Sequence, residues 1–340
     1  MPVTIYDVAK KAGVGIGTVS RALNNSPQIL PETKARILQI AQELNYQPHA
    51  LAQGLARRKT GTIAVIVPFF LTYFFIEMLK GIQHELTQYQ YDLILYSVDQ
   101  KEKLNTFLKR TLQEKRVDGV LLCSLSISTH FAEKFIEAGS PIVLLDTFHP
   151  LLDSITIENE LGAYQATLQL IQAGHRKIGM INAPLISRPA RLRYKGFKKA
   201  LLDAGIEFKR KYLMIGPRTD ESDGFTREAG YQAMKQLLTN DSDRPTGLFI
   251  SSDIQAIGAI QALQEQQLSS PTNMSIVSFD DIELAEYFGL TTMRQPIYEM
   301  GKLAVQRLVE KLSAKGEAVF QKKIIPELII RKSCAILSTH

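Results

Sequence analysis

Residues 4–24 read Thr4-Ile5-Tyr6-Asp7-Val8-Ala9-Lys10-Lys11-Ala12-Gly13-Val14-Gly15-Ile16-Gly17-Thr18-Val19-Ser20-Arg21-Ala22-Leu23-Asn24. Ile5, Val8, Ala9 and Ala12 fall at i, i+3, i+4 and i+7, the spacing of one face of a short α-helix. Gly13-Val14-Gly15 then supplies backbone freedom for a tight corner, and Ile16 to Leu23 resumes helical spacing with Val19, Ala22 and Leu23 inward. Small Ala9 lets two helices approach, Gly13 makes the bend and Val19 plugs the joint, offsets that suit a helix-turn-helix. A third helix is expected from Pro31 to Leu44, with proline at its first position and Ile37, Ile40, Ala41 and Leu44 inward.

In such a head the second helix enters the major groove and its N-terminal residues meet base edges. Ile16, Gly17 and Arg21 are the candidates. Arg21 can donate two parallel hydrogen bonds to guanine, worth about 1–3 kcal/mol of discrimination, and Ile16 can touch a thymine methyl. Gly17 reads nothing but admits close approach, while Thr18 and Ser20 are placed for phosphates, which set register without reading sequence. The plainer alternative is a basic three-helix bundle that binds protein. A dinucleotide-binding loop at residues 13–17 is excluded, because a helix precedes it and the third glycine is misplaced.

Charge supports the nucleic-acid reading. Residues 1–60 hold eight Lys/Arg against Asp7, Glu32 and Glu43, a net of +5 within a chain total of +6, so the remaining 280 residues are nearly neutral. At 340 residues, 45% hydrophobic and 22% charged, the chain fits a small module plus two lobes and is neither disordered nor fibrous. The longest apolar stretch, Ile63 to Phe75, is broken by Pro68, Thr72 and Tyr73, and Met1 to Lys10 carries Asp7 and no apolar run. No membrane contact and a cytoplasmic location are therefore expected, with Cys123 and Cys334 reduced.

The runs Thr4 to Ala9, Gly13-Val14 and Thr18 to Asn24, followed by Leu44-Asn45-Tyr46-Gln47-Pro48 and Ala50-Leu51-Ala52-Gln53-Gly54-Leu55, resemble the signature of the lactose-repressor (LacI/GalR) family. The resemblance implies a DNA-binding domain over 1–48 and a hinge helix and linker over 49–60. It also implies a DNA-facing set that adds Thr4, Tyr6, Asn24, Leu55 and Arg57 to the groove residues, with Leu55 as a minor-groove wedge. Eight hinge residues are too few for a stable isolated helix, so this one is expected to order only on DNA beside a partner hinge. Two such leucines would unstack a base step and bend the duplex.

From Thr62 onward short apolar strands alternate with amphipathic helices. Strands are expected at Ile63–Val67, Tyr91–Val98, Gly119–Cys123, Ile142–Leu145, Ile178–Ile181, Gly247–Ile250 and Ser275–Phe279. The pattern predicts doubly wound α/β sheets, which bind ligands outside the carboxyl ends of their strands. The resemblance continues through Ala173-Gly174-His175-Arg176-Lys177-Ile178, Gly196-Phe197, Ser278-Phe279-Asp280-Asp281 and Leu290 to Pro296. It implies a periplasmic-binding-protein-like sensor over 61–340 whose chain crosses between lobes near 158, 288 and 320. One lobe would then hold about 61–157 and 289–319, and the other about 158–288 and 320–340.

Asp146 and Asp280 each end a strand, where carboxylates suit the paired hydroxyls of a sugar, and both match ligand positions of the family. Arg193 matches its ligand-facing arginine, whose five fixed donors suit hydroxyl, carboxylate or phosphate oxygens. Phe74 and Phe225 match positions whose rings can stack on a ligand, Gln295 is a further candidate, and Ser252 replaces an asparagine of many relatives. A sugar or sugar derivative is the expected effector. A nucleobase, or control by a phosphocarrier protein, is the alternative within this class, and a sugar-binding transport protein the alternative outside it. No phosphate-binding loop, nucleophile elbow or zinc helix occurs, so no enzyme, metal or cofactor is expected. The expected assembly is a homodimer on a near-palindromic double-stranded operator, acting as a repressor.

Overall fold

The computed structural model describes residues 3–46, 59–68, 72–98, 101–114, 116–216, 223–239, 243–313 and 318–337. They divide into two compact units, one within residues up to Gly61 together with 115–118, the other the remainder from Thr62. The first carries helices α1 (Ile5–Ala12), α2 (Ile16–Leu23) and α3 (Pro31–Glu43). α1 opens on a cap in which the Thr4 backbone N–H and Oγ1 both donate to Asp7 Oδ2, at 2.8 and 2.7 Å. It closes on Gly13, left-handed at φ 65°, which turns the chain into α2. Val8, Ala9, Ala12, Val19, Ala22, Ile37 and Ala41 are buried between the three helices.

The second unit holds two six-stranded sheets. The first runs β11-β5-β4-β3-β1-β2, built from β1 (Thr62–Val67), β2 (Asp92–Ser97), β3 (Gly119–Cys123), β4 (Ile142–Leu145), β5 (Asp153–Ile157) and β11 (Gln321–Ile324), all parallel. The second runs β12-β10-β9-β8-β6-β7, built from β6 (Ile178–Asn182), β7 (Leu213–Ile215), β8 (Gly247–Ile250), β9 (Ser275–Asp280), β10 (Thr291–Arg294) and β12 (Glu327–Ile329). It is parallel except that β12 runs against β10. Helices α4 (Tyr73–Gln88), α5 (Lys101–Glu114), α6 (Thr129–Glu137) and α12 (Ile297–Ser313) accompany the first sheet. Helices α7 (Asn159–Gln172), α8 (Arg188–Asp203), α9 (Arg227–Leu238), α10 (Asp253–Glu265) and α11 (Glu283–Tyr287) accompany the second. Central strands β3, β4, β6 and β8 are buried along their whole length, as continuous apolar runs between helices demand.

Two expected crossings move. β10 pairs with β9 in the second sheet, so the chain leaves that lobe after Arg294, not near 288. β11 pairs with β5 in the first sheet, so the last crossing follows Ile324, not 320. Residues 289–294 thus belong with the second lobe and 321–324 with the first, the reverse of the expected division. β5 and β11 escape the apolar pattern because they are polar: Asp153-Ser154-Ile155-Thr156-Ile157 and Gln321-Lys322-Lys323-Ile324. Asp153 is fully buried in β5 because α12 supplies Arg307 Nε at 2.6 Å and Lys311 Nζ at 3.1 Å, and the Phe320 N–H donates at 3.0 Å.

Candidate functional site

On the head, Tyr6 (67% exposed), Ile16 (40% exposed), Gly17 and Arg21 face outward, whereas Thr18, Ser20 and Asn24 are half-buried. Asn24 Nδ2 donates to Ser20 Oγ at 3.4 Å, one turn away on α2. A Cβ built on Gly17 would meet nothing within 4 Å. The hinge over 49–56, with Leu55, and Arg57 beyond it lie outside the described residues.

Between the two sheets of the second unit, at the carboxyl ends of their strands, lies a cavity of about 400 Å³. Phe74, Asp146, Arg193, Phe225 and Asp280 all line it. The first sheet contributes Ser124 just past β3 and Asp146 just past β4, and the second contributes Asp280 at the end of β9. Ser124 (φ 53°), Asp146 (φ 53°), Asp280 (φ 117°) and Asp281 (φ 58°) sit in left-handed backbone that non-glycine residues seldom adopt. Such strain persists where the surrounding structure over-determines it, here at the strand ends that shape the cavity.

Arg193 is held rigidly. Its Nε donates to Asn159 Oδ1 at 2.7 Å, and its Nη1 donates to the Ser251 carbonyl and reaches Asp280 Oδ1 at 3.4 Å. The guanidinium carbon lies 3.8 Å from the Phe279 ring centre and 5.6 Å from that of Phe225. Burial works against its charge, opposed by Asp280, Asp146 and Asp253. Burial also drives Asp280 up to about 8, against the pull of Arg193 and the Gln295 amide, which donates at 2.6 Å. Burial raises Asp146 as well, although Ser124 Oγ donates to Asp146 Oδ2 at 2.8 Å. A carboxyl raised as far as that of Asp280 can hold a proton and so donate as well as accept, which is what hydroxyls require.

A model of the lacI family of bacterial regulatory proteins matches residues 4–49, and one for the periplasmic binding protein-like domain matches 167–334. The ribose operon repressor of Haemophilus influenzae is 36% identical over 334 residues, spanning 97% of this chain and 98% of that one. The chain belongs to the lacI family. As a lacI-family protein it is a DNA-binding transcriptional regulator, not an enzyme. Among solved structures, a lac repressor dimer bound to operator and the anti-inducer ONPF superposes with a TM-score of 0.84 at 27% identity, covering 98% of this chain and 100% of that one. The complex of the regulator CelR with cellobiose superposes with a TM-score of 0.70 at 28% identity, covering 97% and 99%.

Two expected ligand residues of this lacI-family regulator stand behind the cavity wall. Ser252 caps α10, its Oγ accepting from the Gln255 N–H at 3.4 Å and donating to Gln255 Oε1 at 3.1 Å. Gln295 faces Asp280, with its own Oε1 buried and without a hydrogen-bond partner among the described residues. Asp281 turns away from its neighbour, accepting from Arg294 Nε and Arg331 Nη1, each at 2.7 Å. Ser124, Asp223 and Arg188 line the cavity without having been singled out in the sequence. Ser124 follows β3 as Asp146 follows β4, a rule that finds it; Arg188 carries no such signal.

Proposed function

We propose that this regulator is a cytoplasmic homodimeric repressor whose operator affinity is set by a carbohydrate bound between the two lobes. The observation that carries the reading is the meeting, in one cavity, of a fixed guanidinium, two carboxyls from opposite sheets and the side chains of Phe74 and Phe225. Polar groups that converge on an otherwise apolar wall fix the hydroxyls of a ring, while aromatic side chains cover its carbons. Relatives named for ribose and complexed with cellobiose support the same class. Because Asp146 comes from one lobe and Arg193 and Asp280 from the other, a ligand that engages all three favours one lobe arrangement. A hundredfold preference for that arrangement amounts to about 2.7 kcal/mol of coupling to DNA. In the same proposal Thr4, Tyr6, Ile16, Gly17, Thr18, Ser20, Arg21 and Asn24 face DNA, with Leu55 and Arg57 contributing from the hinge.

The test is calorimetric titration of the full chain with a panel of sugars, sugar phosphates and nucleobases, followed by operator binding with and without each ligand. A carbohydrate is expected to bind and to change operator affinity, and Asp280→Ala and Arg193→Ala are each expected to weaken its binding at least about tenfold. Nucleobase binding without any carbohydrate hit, or hits unaffected by both variants, would sink the reading.

A further inference from the structure

Arg188, the first residue of α8, lines the same cavity; the residue is half-buried, and its Nη1 is buried without a hydrogen-bond partner among the described residues. It differs in this from the other two arginines of the wall. Arg191 Nη1 donates to the carbonyls of Leu185 and Ile186 at 2.9 and 2.7 Å, and Arg193 donates from Nε to Asn159 and from Nη1 to Ser251 and Asp280. The carboxyls nearby are also engaged: Asp146 by Ser124, Asp223 by the Phe225 N–H at 3.3 Å, and Asp280 by Gln295. Asp146 feels the Arg188 charge from the opposite lobe, yet no hydrogen bond joins them. A charged donor taken out of water and left unpaired is unfavourable, and native proteins hold few such groups without a use for them.

We infer that the effector is an anionic carbohydrate, a polyol bearing one oxyanion, either a phosphomonoester or a carboxylate, which Arg188 Nη1 binds. The inference rests on the cleft being the carbohydrate site, and it adds the charge of the ligand to that reading. The guanidinium fork matches both oxyanions, and charge-assisted hydrogen bonds to it are the stronger kind. A cavity of about 400 Å³ lies at the small end of ligand pockets, the size for one substituted sugar ring rather than an oligosaccharide.

The experiment titrates the full chain with matched probes: ribose against ribose 5-phosphate, glucose against glucose 6-phosphate, and glucose against gluconate. At least one anionic member is expected to bind about tenfold or more tightly than its neutral partner. Arg188→Gln is expected to erase that preference, weakening the anionic member at least about tenfold more than its neutral partner. Arg188→Lys, which keeps the charge but not the fork, should retain part of it. The phosphate and carboxylate arms identify which oxyanion the site takes. Neutral sugars binding as tightly as their anionic partners, with Arg188→Gln weakening both alike, would mean that Arg188 only latches the lobes through Asp146. That result overturns the inference and leaves the carbohydrate site standing. Failure of every probe, neutral and anionic, removes both.

Discussion

Asp280 concentrates the physics of the cleft in one residue. It sits in left-handed backbone, carries a carboxyl raised chiefly by burial, and touches both Arg193 and Gln295. A carboxyl whose folded pKa of about 8 lies above its unfolded value near 4 binds its proton more tightly in the native state. Its contribution to stability is therefore fully present below about pH 4 and is lost as the pH rises through about 8. Asparagine cannot titrate and also tolerates positive φ. The wild type should accordingly lose stability relative to Asp280→Asn as the pH is raised from 5 to about 8.5, read from urea unfolding midpoints of both proteins. A constant difference across that range would show that Asp280 stays ionised in the fold.

Helix crossings in the sensor rest on glycines that no side chain could replace. α9 meets α10 where a Cβ on Gly230 would run into the Gln255 backbone and one on Gly258 into the Arg227 carbonyl. α4 meets α12 in the same way, with Gly81 against Tyr298 and Gly301 against Met78. Overpacking of this kind costs about 1–3 kcal/mol, and both backbones would have to separate. On α2, by contrast, Gly17 has open space around it, and alanine there gains about 0.5–1 kcal/mol of helix stability. Gly258→Ala should destabilise the sensor and Gly17→Ala should stabilise the head, the same substitution with opposite sign. Denaturant unfolding of the two variants decides it, and equal signs would contradict the packing described.

At the scale of the whole molecule, the head has a core of its own, seven buried residues among three short helices, while the two lobes share three chain crossings. So small a core is marginal, and lobes joined by β10, α12 and β11 should unfold together. Scanning calorimetry should show a separate head transition and one sensor transition. A cleft ligand at one hundred times its Kd should stabilise the sensor alone by about 2.7 kcal/mol. Equal shifts in both transitions would tell against a cleft-only ligand. The head, the alternation of strands and helices, and the carboxyls at strand ends were legible in the sequence, because each follows from spacing within one element or its end. Asp146 and Asp280 could be placed on that basis; Ser252 and Gln295 could not be separated from them, since whether a polar side chain faces a cavity or a cap depends on what packs behind it. The course of β10, β11 and α12 between the lobes depended on pairings such as Asp153 with Arg307, 154 positions apart, which no local period encodes. Arg188 belongs to the same category. Its sequence neighbours say only that it begins a helix, and its buried Nη1 exists because the packing of the fold shelters that nitrogen and sets no hydrogen-bond acceptor beside it among the described residues.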